Sequence, residues 1–302
     1  MKIIDAHVHL VQYIAGTGSG GEMRSIGNGK AQYASGEIYQ MIPKEFNDDK
    51  VTPEKIIELM DENQVEKAVL LQGNFFGFQN LYTHEAVLKY PNRFVGAASY
   101  DPFSRKKDQI RQHLFDQLNF KIVKFECSTG SGLMANHPTI ALNGEVMDEC
   151  YSYSNQMGHT FVIDIGKCGS ESWQIENLRE AIKRYPDMKF VVCHLLAANM
   201  QQEELMKDGL RRLNLPNVWF DLAAVHHNCG PDTYPYKNAR YYLKQAKQIV
   251  GAQRLIYGSD IPSVLTKDSY RHLIDYIMED SDFTLQEKER IFYQNAKQVY
   301  FE

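Results

Sequence analysis

Ile3-Ile4-Asp5-Ala6-His7-Val8-His9 opens the chain and decides how the rest of it is read. A short apolar run with β-branched residues is a strand, and in a strand residues two apart point to the same face. His7 and His9 therefore present two imidazoles side by side, which is half of a site for a divalent metal ion. A second polar cluster, Ser259-Asp260, stands near the other end of the chain.

Outward from this stretch, short β-rich runs recur, each followed by a helical pattern. The expected strands are residues 2–9, 67–73, 94–100, 121–127, 160–165, 189–194, 218–222 and 255–258. Most are apolar throughout, as strands covered on both faces are. Helix starts lie between them. Thr52-Pro53-Glu54-Lys55 sets an N-cap threonine before a proline at the first helical position, and Ser170 and Thr284 are expected caps for helices over 170–185 and 284–300. Pro91 and Pro186 each follow a helix and precede a strand. Eight βα units with no visible linker imply an α/β fold, a (β/α)₈ TIM barrel forming a single domain over residues 1–302. The long gap follows the first strand. Residues 11–50, rich in glycine, are expected to form a lid or insertion loop over the mouth, or a subunit contact. Their Gly16-Thr17-Gly18-Ser19-Gly20-Gly21 run lacks the lysine and the spacing of a phosphate-binding loop.

The chain has 302 residues, 43% of them hydrophobic, enough for a large core, and its net charge of −5 gives no footprint for nucleic acid. A small-molecule substrate is the expected partner, with a homo-oligomer contact as a further expectation. No leader-like start and no long apolar stretch is visible, so a cytoplasmic location without membrane association is expected. Five cysteines, odd in number and without CxxC spacing, argue against a disulfide framework or a structural zinc knot and read as small buried residues.

In a barrel the C-terminal ends of the strands face one pocket. The charged and polar residues expected there are His7, His9, Lys124, Glu126, Asp164, His194, Asp221 and Asp260. An unpaired buried charge costs several kcal/mol, and convergence on an ion removes that cost. Lys124 and Glu126 share a face and either support the pocket as a pair or contact substrate. Asp221 reads as a residue behind the site. His226 on the loop after the seventh strand is a substrate contact or an ordinary loop residue. Arg24 would clamp a substrate carboxylate if the insertion brings it over the mouth, its default being a solvated arginine.

The motifs together resemble a known family. Ile4-Asp5-Ala6-His7-Val8-His9-Leu10, Val192-Cys193-His194-Leu195, Tyr257-Gly258-Ser259-Asp260-Ile261-Pro262 and Asn295-Ala296 are similar to the amidohydrolase superfamily. They are closest to its amidohydrolase-related branch, which includes aminocarboxymuconate semialdehyde decarboxylase and resorcylate-type decarboxylases. The resemblance implies that His7 and His9 are metal ligands, that Asp260 is a ligand or takes a proton from the metal-bound water, and that His194 polarises the substrate or acts as acid or base. Where many relatives carry a histidine after the fifth strand, this chain has Asp164, which either replaces that ligand or leaves the site altered. The implied cofactor is a divalent ion, Zn²⁺ first, with Mn²⁺ or another ion as alternatives. In some relatives a lysine at the position of Lys124 is carboxylated to bridge two ions.

Three functions are open on the sequence alone. The first is a metal-dependent hydrolase that attacks an amide, ester or lactone with activated water. The second is a non-oxidative decarboxylase of an aromatic or unsaturated acid on the same scaffold, for which Tyr33, Tyr39, Phe75, Phe76 and Phe78 suit a planar substrate. The third is a barrel that binds a ligand without chemistry.

Overall fold

Each of the eight expected strands forms, and each lies parallel to its neighbours in the computed structural model, which describes residues 1–302. In chain order the strands are β1 (Ile4–His9), β2 (Thr17–Gly18), β3 (Gly21–Gly27), β4 (Lys30–Tyr33), β5 (Ile38–Gln40), β6 (Lys67–Leu71), β7 (Phe94–Ala98), β8 (Ile122–Glu126), β9 (Thr160–Asp164), β10 (Phe190–Val192), β11 (Val218–Asp221) and β12 (Leu255–Ile256). The barrel runs β1-β6-β7-β8-β9-β10-β11-β12. Ala6 N donates to Tyr257 O at 3.0 Å and His9 N to Ile261 O at 2.9 Å, which brings the last strand back to the first. Eight parallel strands nearly closed, with helices around them, are the expected (β/α)₈ barrel.

Two apolar layers hold it. Ile4, Ala6, Val69, Ala97, Ile122, Val162, Val191 and Trp219 fill the barrel interior, and the terminal helix Asn295–Tyr300 packs Ala296, Val299 and Tyr300 against them. The buried Asn295 amide donates to Ala252 O at 2.8 Å and Leu255 O at 2.7 Å, pinning that helix to the strand it follows in space. Outward-facing residues such as Val8, Phe125, Phe161, Phe190 and Phe220 pack under the helices.

One irregularity positions the site. The pairing of β1 with β6 shifts between Asp5 and Val8. Strict alternation from Ile4 and Ala6, both inside, would turn His7 and His9 outward. The bulge changes the phase, so that Val8 joins the outer layer and both histidines face the cavity.

The helix caps are mixed. Thr52 Oγ1 accepts from Lys55 N at 3.2 Å, and Thr284 and Glu287 form a reciprocal capping box. Ser170 does not cap. The helix there is Ile175–Arg184, and Trp173 Nε1 donates to Leu196 O at 3.1 Å, which ties the preceding turn to the loop after β10.

The insertion is not irregular. β2 to β5 make a four-stranded antiparallel sheet. Its turns use the glycines: Asn28 and Gly29 adopt φ of 57° and 71° between Gly27 and Lys30, the positive pair that a two-residue hairpin demands. Met23, Ala31 and Tyr33 bury one face of this sheet against the barrel. No helix is long and apolar enough to cross a membrane.

Candidate active site

The strand ends converge on a cavity of about 430 Å³, within the range of small-molecule sites. His7, His9, Lys124, Glu126, Asp164, His194 and Asp260 line it, with Tyr39, Phe75 and Phe76 forming an aromatic wall. Tyr39 comes from the inserted sheet, so that sheet covers part of the mouth.

Donor atoms of His7, His9 and Asp260 lie within 4.8 Å of one another. Asp260 Oδ1 is 3.1 Å from His9 Nε2 and 3.6 Å from His7 Nε2. The opposite ring atoms are already engaged: His7 Nδ1 pairs with Asp221 Oδ2 at 3.0 Å, and His9 Nδ1 with Leu71 O at 3.0 Å. A carbonyl can only accept, so His9 carries its proton on Nδ1, and a carboxylate partner sets the same tautomer in His7. Both Nε2 lone pairs are left facing Asp260. Two imidazoles fixed in this way beside a carboxylate are a donor set for a divalent ion, and the residues fit one.

The electrostatics agree. Burial disfavours charge on His7 and lowers its pKa, which keeps the lone pair free. Burial would raise the Asp221 pKa, but His7 and His194 beside it prevail and hold the carboxyl down at about 2. Asp260 is likewise pulled well below the usual carboxylate range against its burial, by the neighbouring imidazoles of His9, His7 and His194. Both acids are therefore carboxylates at neutral pH.

The backbone around these groups is specialised. Asp5 Oδ1 accepts from His7 N at 3.1 Å and Ser259 N at 2.9 Å, and Oδ2 accepts from Tyr270 Oη at 2.7 Å. It thus staples β1 to the turn that carries Asp260. Gly258 lies against β1 so closely that a Cβ on it would sit 2.8 Å from His7 Cβ. Asp260 has φ of 70°, and His194, Leu195, Leu196 and Ala197 all have positive φ, a sparsely populated conformation for side-chain-bearing residues and frequent at functional sites. That left-handed turn is fixed by Asp221 Oδ1, which accepts from His194 N at 2.8 Å, and by Ala223 O, which lies 3.0 Å from His194 Nδ1.

His194 faces the cavity with Nε2. Burial opposes its protonated form, yet Asp164, Asp221 and Asp260 outweigh that and raise its pKa. Asp164 Oδ2 lies 3.6 Å from this Nε2, and Asp164 Oδ1 accepts from Gly166 N at 2.7 Å. Asp164 is thus set beside His194 and contributes no atom to the three-donor cluster with His7 and His9. Of the four expected ligands, His7, His9 and Asp260 are grouped together, and Asp164 stands beside His194. A second grouping brings Cys193 near His7 and His194, but burial drives its thiol pKa far up, so it stays an apolar, protonated neighbour.

The remaining expectations divide. Lys124 and Glu126 line the cavity but form no ion pair with each other, because Glu126 takes its donors from Asn74 N and from the Ser128 and Ser131 hydroxyls. Arg24 is exposed on β3, donates to Met23 O and lies outside the cavity, since the hairpin turns that strand face to solvent. His226 is buried against Tyr236 and lies outside the cavity lining; its neighbour His227 lines the mouth instead, with Lys267. Tyr33 and Phe78 are likewise outside the lining. All five cysteines are free and buried. The orienting carbonyls of Leu71 and Ala223 have no signal in the sequence, since any residue supplies a carbonyl.

No curated protein matches the chain. Among solved structures, a probable 2-pyrone-4,6-dicarboxylic acid hydrolase from Acinetobacter baumannii with citric acid bound superposes with a TM-score of 0.74 at 17% identity, over 100% of both chains. An amidohydrolase from Burkholderia multivorans with bound zinc gives 0.72 at 15% identity, over 100% of this chain and 99% of that one. A 2,6-dihydroxybenzoate decarboxylase from Rhizobium gives 0.58 at 13% identity, over 82% of this chain and 88% of that one. At such identities the likeness is one of fold. The sequence pattern of the family described as Amidohydrolase matches residues 4–301, and by that match the chain belongs to the amidohydrolase family.

Proposed function

We propose that the protein is a metal-dependent hydrolase that cleaves an amide, ester or lactone bond of a small molecule. The observation that carries this reading is the Asp260 carboxylate lying 3.1 Å from His9 Nε2 and 3.6 Å from His7 Nε2 at the mouth of the cavity. His7, His9 and Asp260 would hold the ion, with Zn²⁺ the first choice for two imidazoles and one carboxylate. When bound, a divalent ion lowers the pKa of coordinated water and polarises an oxygen of the substrate.

The chain's own groups supply the rest. Asp260, a carboxylate at neutral pH, takes the proton of the attacking water. His194, with its raised pKa and with Nε2 open to the cavity, donates a proton to the leaving group or a hydrogen bond to the carbonyl. Asp164 beside it stabilises the protonated ring. Asp221 orients both His7 and His194 from behind.

The aromatic wall of Tyr39, Phe75 and Phe76 supports a second reading, a non-oxidative decarboxylase of a planar acid. One assay separates the two. Zinc-loaded protein is offered a panel of esters, lactones and amides, and in parallel a panel of aromatic and unsaturated acids with CO₂ detection. Hydrolysis is the expected outcome, and CO₂ release without any hydrolysis overturns the first reading in favour of the second.

A further inference from the structure

Two lysines line the cavity: Lys267 is exposed at the mouth, and Lys124 is the buried one. It lies on β8 one inward-facing position below Glu126, on the cavity floor, and only 3% of its surface is exposed. The carboxylates around it are all provided for. Glu126 accepts from Asn74 N and two serine hydroxyls, Asp164 from Gly166 N, and Asp221 from His7, His194 N and Ala223 N. Asp260 faces the two histidines. The Lys124 ammonium, by contrast, has only through-space charge contacts to the surrounding carboxylates and opens onto the cavity.

An ammonium has three donors and no acceptor, and leaving it buried without a counter-group is expensive. Shedding the proton is the usual escape. That escape is closed here: burial works against the charge, but the carboxylates of Asp164, Glu126 and Asp221 around it outweigh burial and raise the lysine pKa. The floor of the cavity thus carries a fixed positive charge aimed at the space where substrate binds, below an aromatic wall and beside the His7, His9, Asp260 cluster.

We propose that the substrate is a carboxylate whose anionic end is received by Lys124 Nζ on the cavity floor, while the bond to be cleaved lies against His7, His9 and Asp260. The second half rests on the hydrolase reading; the anion site does not. Lys124 is then the residue that selects an acid over its neutral analogue.

Benzoate and benzamide, equal in shape and different in charge, serve as probes, with affinities measured by titration calorimetry on zinc-loaded and chelator-stripped protein. Lys124→Met is expected to weaken benzoate by about tenfold, the loss for one charge-assisted hydrogen bond, and to leave benzamide unchanged. The same ratio is expected in stripped protein, which separates the lysine from direct binding to the ion. Lys124→Arg is expected to restore most of the benzoate affinity, and unchanged circular dichroism certifies the fold of both variants. Equal benzoate affinity of Lys124→Met and wild type in either metal state, or no benzoate binding to wild type, overturns the proposal. If the benzoate effect holds while no ester, lactone or amide is hydrolysed, the hydrolase reading fails and the anion site stands.

Discussion

His7 Nδ1 and Asp221 Oδ2 lie 3.0 Å apart, with both side chains closed to solvent. The aspartate is spent on a proton that His7 would otherwise be free to move, so the imidazole has one tautomer and one orientation. The other oxygen of Asp221 accepts from His194 N, so a single carboxylate behind the cavity aligns two rings that face it. Asp221→Asn is therefore expected to weaken zinc binding by about 10- to 100-fold, the usual effect of losing the group behind a metal-bound histidine. Competition against a chromogenic chelator measures it, and unchanged zinc affinity would remove Asp221 from the site.

Asp260 differs from Asp221 in facing the cavity. Asp260→Asn keeps the shape but cannot take a proton from water, and turnover is expected to fall by about 10²- to 10⁴-fold, the range for losing a general base. His7→Ala together with His9→Ala is expected to abolish stoichiometric zinc as measured by elemental analysis. Full zinc content in that double variant would contradict the ligand assignment.

Gly258 shows how closely the turn after β12 approaches β1 behind the site. A methyl group there would sit 2.8 Å from His7 Cβ, so Gly258→Ala forces the turn or the strand to move. A loss of about 1 to 3 kcal/mol in stability is expected, as for other overpacked positions, together with weaker zinc binding. Denaturant titration and chelator competition give the two readouts, and a loss of neither would show that turn and strand yield freely.

His159 provides a pH test away from the cavity. It packs at a tilt against Phe115 with ring centroids 4.6 Å apart, both ring nitrogens lack a partner, and burial, aided by Lys121, lowers its pKa from 6.5 to about 4. A depressed folded-state pKa means that the unfolded chain binds the proton first. Stability from this residue is therefore intact above pH 6.5 and is lost as pH falls through about 4, by on the order of 3 kcal/mol. His226, also near 4, acts in the same direction, and Asp5, raised to about 6 by burial, acts in the opposite one. The comparison of wild type with His159→Phe isolates the first: the variant is expected to lose less stability between pH 7 and pH 4.5, and identical losses would show that His159 ionises without cost.

The barrel was legible because each strand is a short apolar run punctuated by a helix cap or proline, and the pairing of His7 and His9 because two-residue spacing survives any strand geometry. Their inward aim was not. It depends on a bulge between Asp5 and Val8 that the run of apolar residues conceals. The inserted sheet hid behind its glycines, although Asn28-Gly29 between alternating residues is a hairpin signal in its own right. Arg24 and His226 were candidates by residue type, and the facing of a hairpin strand and of a one-turn helix sent both away from the cavity. Lys124 was legible as a cavity residue, but that Glu126 does not pair with it follows only from how Ser128, Ser131 and Asn74 satisfy Glu126.

Anomalous diffraction at the zinc edge from crystals of zinc-loaded protein tests the ligand set most directly. One peak is expected per chain, about 2.0 to 2.2 Å from His7 Nε2, His9 Nε2 and an Asp260 carboxylate oxygen, the distances zinc keeps to nitrogen and oxygen ligands. A peak between Cys193 and His194, or no peak in the cavity at saturating zinc, would contradict the assignment of these three residues as the metal-binding centre of the enzyme.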